Sequence, residues 1–263
     1  MTYCVGMLLD TGLVFLADSR TSAGVDQINS FRKTSVFQRP GERVMVLQCA
    51  GNLAITQAVV TLLREHENSI TRRELDLQSA TNMFEAARCV GEALREVHRR
   101  DAASLHEFGV EFNASVILGG QIRNEEPRLF SIYSAGNFIE ALPETTYFQI
   151  GESKYGKPII DRVIRRSSSL NEATKCALVS MDSTIQSNLS VGLPLDLVIV
   201  RRDQFCVARH MSIDAENVYF RSIRSRWSAA LREAFVELPD PDWLSDRTLE
   251  RLPSASVTKL PGS

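Results

Sequence analysis

The sequence predicts an α+β fold, a four-layer α–β–β–α sandwich, and three observations carry that prediction. Two short runs at the N-terminus, 3–9 (YCVGMLL) and 13–18 (LVFLAD), are apolar at odd and even positions alike, so their sheet must be covered on both faces. The amphipathic stretches come in blocks: strands, two helices, strands, two helices, strands and one helix. Strands buried on both faces, with helices segregated from them, place two stacked sheets inside and the helices outside.

The elements follow in order. Asp10-Thr11-Gly12 separates the first two β-prone runs and reads as a hairpin turn. Residues 19–30 are polar and read as a loop, with a short strand near Phe31–Phe37, a Pro40-Gly41 turn and a strand at Arg43–Gln48. After Ala50-Gly51-Asn52, the spacing of Ile55, Val59, Leu62 and Leu63 marks one stripe of a helix. A second helix spans 81–100, with Met83, Ala87, Val90, Leu94 and Val97 on its stripe. Strands are predicted at Ala114–Leu118, Leu129–Tyr133, Phe138–Leu142 and Tyr147–Ile150, helices at 155–166 and 171–188, a strand pair at Leu195–Val200 and Gln204–Arg209, and a helix at 222–236. One domain therefore covers 1–237, and the Pro- and Ser-rich stretch 238–263 reads as a loosely ordered tail.

Composition narrows the function. At 263 residues, 44% hydrophobic and 24% charged, the chain can bury a large core. A formal net charge of −2 argues against nucleic acid as a partner, because phosphate binding needs a basic field. No apolar stretch is long enough for a membrane span, and the N-terminus lacks the features of a secretory signal. Five scattered cysteines read as reduced thiols, and a cytoplasmic location is expected. His66, His98, His106 and His210 have no metal-ligand spacing and read as surface or helix-end residues; no metal or cofactor is expected. Cys4 reads as a core thiol.

The chemistry concentrates at the start of the chain. Methionine aminopeptidases remove an initiator Met when the next side chain is small, so loss of Met1 leaves Thr2 with a hydroxyl and a free α-amine. That pairing is a nucleophile carrying its own base. An α-amine has an ordinary pKa of roughly 7.7–8.0, and a nearby Lys33 ammonium would lower it. Asp18 supplies the counter-charge Lys33 needs in a closed site, and Gly51, before a helix, is suited to donate a backbone N–H to an oxyanion. The implied reaction is attack on an amide carbonyl, an acyl-enzyme ester, and hydrolysis by water. If Asp10-Thr11-Gly12 is a three-residue loop, Leu9 faces Leu13, Thr2 falls opposite Arg20, and Asp18 lies one diagonal step away on the same face. A two-residue loop breaks that parity.

The stretch TYCVGMLLDTGLVFLADSRTSAGVDQINSFRK, followed by QCAGNLAITQAVVTLL, resembles proteasome-type β subunits and their bacterial HslV relatives, and more so the bacterial branch called Anbu, the ancestral β subunit. The resemblance covers about residues 2–235. It implies an N-terminal-nucleophile (Ntn) hydrolase fold, a threonine endopeptidase with Thr2 as nucleophile, Asp18 and Lys33 as charge partners, Gly51 as oxyanion donor and Arg20 as a structural arginine. By the resemblance Cys49 would lie beneath a substrate side chain; a packing role is equally consistent with the sequence. Gly151-Glu152-Ser153 resembles the family's Gly-Ser-Gly turn, broken by Glu152, with Ser153 as its serine; Ser187-Asn188-Leu189-Ser190 resembles the Asp-x-x-Ser segment, with Ser190 retained and Ser187 in place of the Asp unless Asp182 serves. The resemblance also implies a peptide or protein substrate and self-association into a homo-oligomer, and leaves open an ATPase or accessory partner.

Other readings compete. Gly151-x-Ser153-x-x-Gly156 misses the nucleophile-elbow spacing by one residue, and the Ser-x-x-Lys pairs at Ser30/Lys33 and Ser256/Lys259 are common chance motifs. A proteasome-like scaffold with an idle threonine, favoured by Ser187, and an Ntn amidase acting on small amides both stay open.

Overall fold

The computed structural model describes residues 2–22, 28–68 and 76–241. The chain divides into two compact units, Met1–Arg224 and Ser225–Ser263. The first holds two antiparallel five-stranded sheets. One comprises β1 (Tyr3–Leu9), β2 (Gly12–Asp18), β10 (Tyr147–Gly151), β11 (Leu195–Arg201) and β12 (Val207–Ile213), in the order β10-β1-β2-β11-β12. The other is β5 (Thr34–Arg39), β6 (Arg43–Gly51), β7 (Ala114–Ile122), β8 (Arg128–Ile132) and β9 (Phe138–Glu140), in chain order.

Three apolar layers hold the sandwich together, as strands apolar on both faces require. Between the sheets lie Cys4, Phe15, Ala17, Val44, Val46, Ile117 and Val198. Outside the second sheet, α1 (Leu53–Asn68) and α2 (Met83–Glu107) bury Ile55, Val59, Met83, Val90 and Leu94 against Met45, Leu47 and Phe130. Outside the first, α3 (Lys157–Val163) and α4 (Leu170–Ser187) bury Ile160, Ala173 and Met181 against Tyr3, Val5, Met7 and Leu16. The predicted four layers are therefore present. The last helix, α5 (Val218–Val236), contributes Phe220 to this outer cluster; in the second unit its Leu231, Phe235 and Val236 are exposed. Of the predicted tail, 242–263 lies outside the described residues.

Four local predictions need correction. The first hairpin has a two-residue loop, Asp10-Thr11, because Leu9 pairs with Gly12 and Leu8 with Leu13. Gly12 takes φ +143, a conformation a side chain would resist, and so enters the ladder instead of the loop. Tyr3, not Thr2, therefore belongs to Asp18's face. The polar stretch read as a loop contains a small hairpin, β3 (Arg20–Ser22) with β4 (Ile28–Ser30); residues 23–27 lie outside the described residues. Three-residue polar strands carry no alternation to find. The strand predicted near Phe31 begins at Thr34, and β12 begins at Val207 instead of Gln204. Asp203 (φ 62) and Phe205 (φ 50) extend the turn before β12.

Candidate active site

Asp18 ends β2 and faces Tyr3 at the start of β1 through the ladder's last rung. Its Oδ1 accepts the Tyr3 N–H at 3.0 Å, the peptide N–H that follows Thr2. The same oxygen lies 2.7 Å from Lys33 Nζ, which also donates to the Arg20 carbonyl at 2.7 Å. Thr2, Asp18 and Lys33 are thus drawn together although the hairpin parity differs from the three-residue expectation. The link is Asp18's short side chain bonding along the backbone edge, not two side chains on one face. Thr2 is 9% exposed, and the Lys33 side chain 7%. Burial pushes the Asp18 carboxyl above its ordinary range, opposed by the Lys33 ammonium and the N–H groups of Tyr3 and Gly192. A buried lysine needs such a partner, since an uncompensated interior charge is costly.

A second group of residues approaches Thr2 from β10 and from the loop after α4. Gly151, at φ +81, passes so close that an added Cβ would lie 1.9 Å from the Thr2 carbonyl oxygen. The next residue, Glu152, donates its N–H to that oxygen at 2.7 Å. Glu152 is buried, and its carboxylate accepts from Asn188 Nδ2 at 3.1 Å. Asn188 Oδ1 in turn accepts from the Ser190 hydroxyl at 2.6 Å and the Ser190 N–H at 3.0 Å. Arg20 secures this loop by donating to the Leu189 carbonyl at 2.9 Å and by packing its guanidinium where Gly192 leaves room. The Gly192 N–H reaches Asp18 Oδ2 at 3.4 Å.

Ser153 and Ser187 are placed differently. Ser153 lines a surface cleft with Lys157, Pro158 and Asp161, and the position beside Thr2 is taken by Glu152. Ser187 is exposed at the end of α4, and Asp182 forms an ion pair with Arg224 at 2.7 Å. Glu152 and Asn188 are the residues the sequence reading passed over. The signal was the broken Gly-Ser-Gly pattern itself, where a carboxylate stands at the serine's place.

Gly51 closes β6, at φ +112, with an added Cβ 2.3 Å from the Asn113 carbonyl oxygen. Odd-numbered residues of β6 present their N–H groups toward β5, as Cys49 does to the Lys33 carbonyl at 2.9 Å. Gly51 lies past Thr34, where β5 begins, so its N–H side faces the Lys33 segment instead of a strand. Asn52 then caps α1, accepting the Ala54 N–H at 2.9 Å. A cleft of about 580 Å³ opens alongside, with Lys33, Ser35, Cys49, Thr56 and Val60 among its lining. His210, read from sequence as a surface or helix-end residue, stands on β12 at this cleft and bonds Asp196 at 2.7 Å. Cys4 is fully enclosed and Cys49 is buried at the floor of the cleft: burial pushes Cys4 well up and Cys49 to about 12, which keeps both protonated and poorly nucleophilic.

Comparison with known proteins agrees with this architecture. The proteasome subunit family model matches residues 2–200. The chain is 25% identical over 218 residues to proteasome subunit beta 2 of Nitrosopumilus maritimus, spanning 78% of this chain and 88% of that protein. The structure of an Anbu (Gly-1) mutant from Hyphomicrobium sp. strain MC1 superposes with a TM-score of 0.85 at 52% identity, over 92% of this chain and all of that one. A helical assembly of the Anbu complex from Pseudomonas aeruginosa matches with a TM-score of 0.85 at 46% identity, over 91% and 98%. The chain belongs to the proteasome subunit family, within its Anbu branch.

Proposed function

We propose that the protein is an N-terminal threonine peptidase, acting on peptide or protein substrates through an acyl-enzyme on Thr2 after Met1 is removed. The observation that carries this reading is the shared Asp18 oxygen, which binds Lys33 Nζ at 2.7 Å and the N–H of Tyr3 at 3.0 Å. That arrangement holds a buried ammonium beside the first residue of the mature chain. The Lys33 charge disfavours protonation of the Thr2 amine, so the neutral amine is available to take the hydroxyl proton. The hydroxyl oxygen attacks the substrate carbonyl, the C–N bond breaks, and the amine returns the proton to the leaving group. Water then hydrolyses the ester with the amine again as base. The Gly51 N–H serves the oxyanion, and the cleft over Cys49 takes the side chain preceding the cleaved bond.

The protein works as a homo-oligomer in this proposal. Support comes from the helical assembly formed by the Pseudomonas aeruginosa protein and from the exposed apolar side chains of α5, Val218 and Tyr219 in the first unit and Phe235 and Val236 in the second. In the described residues no helix is long and apolar enough to cross a membrane.

Hydrolysis of fluorogenic peptides by wild type and Thr2→Ala, alongside the intact mass of each, tests the reading. Turnover by wild type lacking Met1, and none by the variant, is expected. Equal signals from the two, or Met1 retained on the purified protein, overturn it.

A further inference from the structure

We infer that Glu152 is a positioning residue whose carboxylate holds the α-ammonium of Thr2; this rests on the threonine-peptidase reading above. Along the β1–β10 ladder Tyr3 faces Gly151, and the bond from Glu152 N–H to the Thr2 carbonyl at 2.7 Å sets Glu152 opposite Thr2. The same even-numbered rungs recur down the strand, where Leu8 N–H donates to the Thr146 backbone carbonyl at 2.7 Å; the matching rung aims the Thr2 nitrogen at the Glu152 backbone, whose own side chain carries the carboxylate. Glu152 is 7% exposed, yet among the described residues no lysine or arginine forms an ion pair with it. Its recorded partner is the neutral Asn188 amide at 3.1 Å, which Ser190 orients from the other side. A carboxylate withdrawn from water and met only by a neutral donor is short of compensation. Loss of Met1 creates a cation on the residue directly opposite.

Neither Lys33 nor Arg20, the described cations near this end of the sheet, forms an ion pair with Glu152, although the Arg20 Nε has no hydrogen-bond partner of its own among the described residues. Lys33 is bonded to Asp18 from the segment before β5, and Arg20 is bonded to the Leu189 carbonyl of the loop after α4. The Thr2 ammonium and the Glu152 carboxylate are therefore complementary in sign and adjacent in register. Anchored by Asn188, the carboxylate would fix the amine relative to its own hydroxyl. It would also offset part of the lowering that Lys33 exerts on the amine's pKa.

The test measures that amine directly. The full-length protein and Glu152→Gln are labelled with acetic anhydride across a pH series, and acetylation of the Thr2 amine is quantified by mass spectrometry of the N-terminal peptide. An anion favours the protonated amine, so removing it should move the labelling midpoint down by about one pH unit. The acid limb of kcat/KM should move the same way. Asn188→Ala keeps the charge but frees the carboxylate, and should give a smaller shift in the same direction if Glu152→Gln does not fold. An unchanged midpoint in the folded variants overturns the inference while leaving Thr2-dependent hydrolysis intact. Retention of Met1 overturns both, because no Thr2 amine then exists to label.

Discussion

Asp18 does two jobs with one oxygen, bonding the first strand's N–H and the Lys33 ammonium at once. Asp18→Asn keeps the shape but leaves Lys33 as a buried cation without its anion. A loss of about 3–5 kcal/mol is expected in denaturant melts, together with loss of peptide hydrolysis. The pH dependence follows from the raised Asp18 pKa. Relative to the unfolded chain, where the ordinary value is 3.8, the folded protein keeps this carboxyl protonated to higher pH. The carboxyl's own contribution to stability is therefore complete below 3.8 and declines as pH rises through the folded value. In the proposed mechanism activity needs both the ionised pair and the neutral Thr2 amine, so it should fall on acidification at a pH above the ordinary aspartate range. A pH–kcat profile with its acid limb inside the ordinary range would contradict this account. At the residue scale the pairing of Asp18 with Lys33 beside the backbone that follows Thr2 was legible from residue types that form a charge pair; the catalytic parts of Thr2, Asp18, Lys33 and Gly51 belong to the proposal. Glu152 was visible only as the break in the Gly-Ser-Gly turn; its place opposite Thr2 depends on a register that no motif encodes.

Elements carry the site through their ends. Gly51 terminates β6 in a backbone conformation that a side chain would strain, against the Asn113 carbonyl oxygen. Gly51→Ala should cost about 1–3 kcal/mol, and under the proposed oxyanion role it should reduce kcat more than it raises KM. Equal kcat with lower stability would restrict Gly51 to a structural part. On the far face, Ser169 and Glu172 form a capping box at the start of α4, with Ser169 accepting the Glu172 N–H at 3.2 Å and donating to its carboxylate at 2.8 Å. Those Ser169 donors hold the Glu172 carboxyl below its ordinary 4.5. Its contribution is present above 4.5 and is lost as pH falls through the lower folded value. Ser169→Ala should lower stability by about 1 kcal/mol near neutrality, with the gap to wild type narrowing in acid. Thermal melts at neutral and acidic pH check both parts. The helices were legible from their stripes, as Ile55, Val59 and Leu63 illustrate by their burial. The hairpin register was not, because Asp10-Thr11-Gly12 permits two loop lengths and only the packing of the sheet against its neighbours selects one.

At the scale of the molecule, two stacked sheets whose central strands are buried on both faces hold the N-terminus of β1 where β2, β6, β10 and the loop after α4 converge. The layer order was readable because strands apolar at every position leave no other way to hide two faces. The convergence was not readable, since it depends on which strands neighbour β1 in space: β10 and β2 flank it. The central claim is that Thr2 presents a hydroxyl and a free amine together at that point. A peptide epoxyketone tests this most directly, because its ketone takes the hydroxyl and its epoxide the amine, closing one ring only where both groups share a residue. Intact mass spectrometry should show the wild-type protein, short of Met1, gaining one whole inhibitor, with the Thr2→Ala variant unchanged. Folded wild-type protein that has lost Met1 yet stays unmodified would contradict the account.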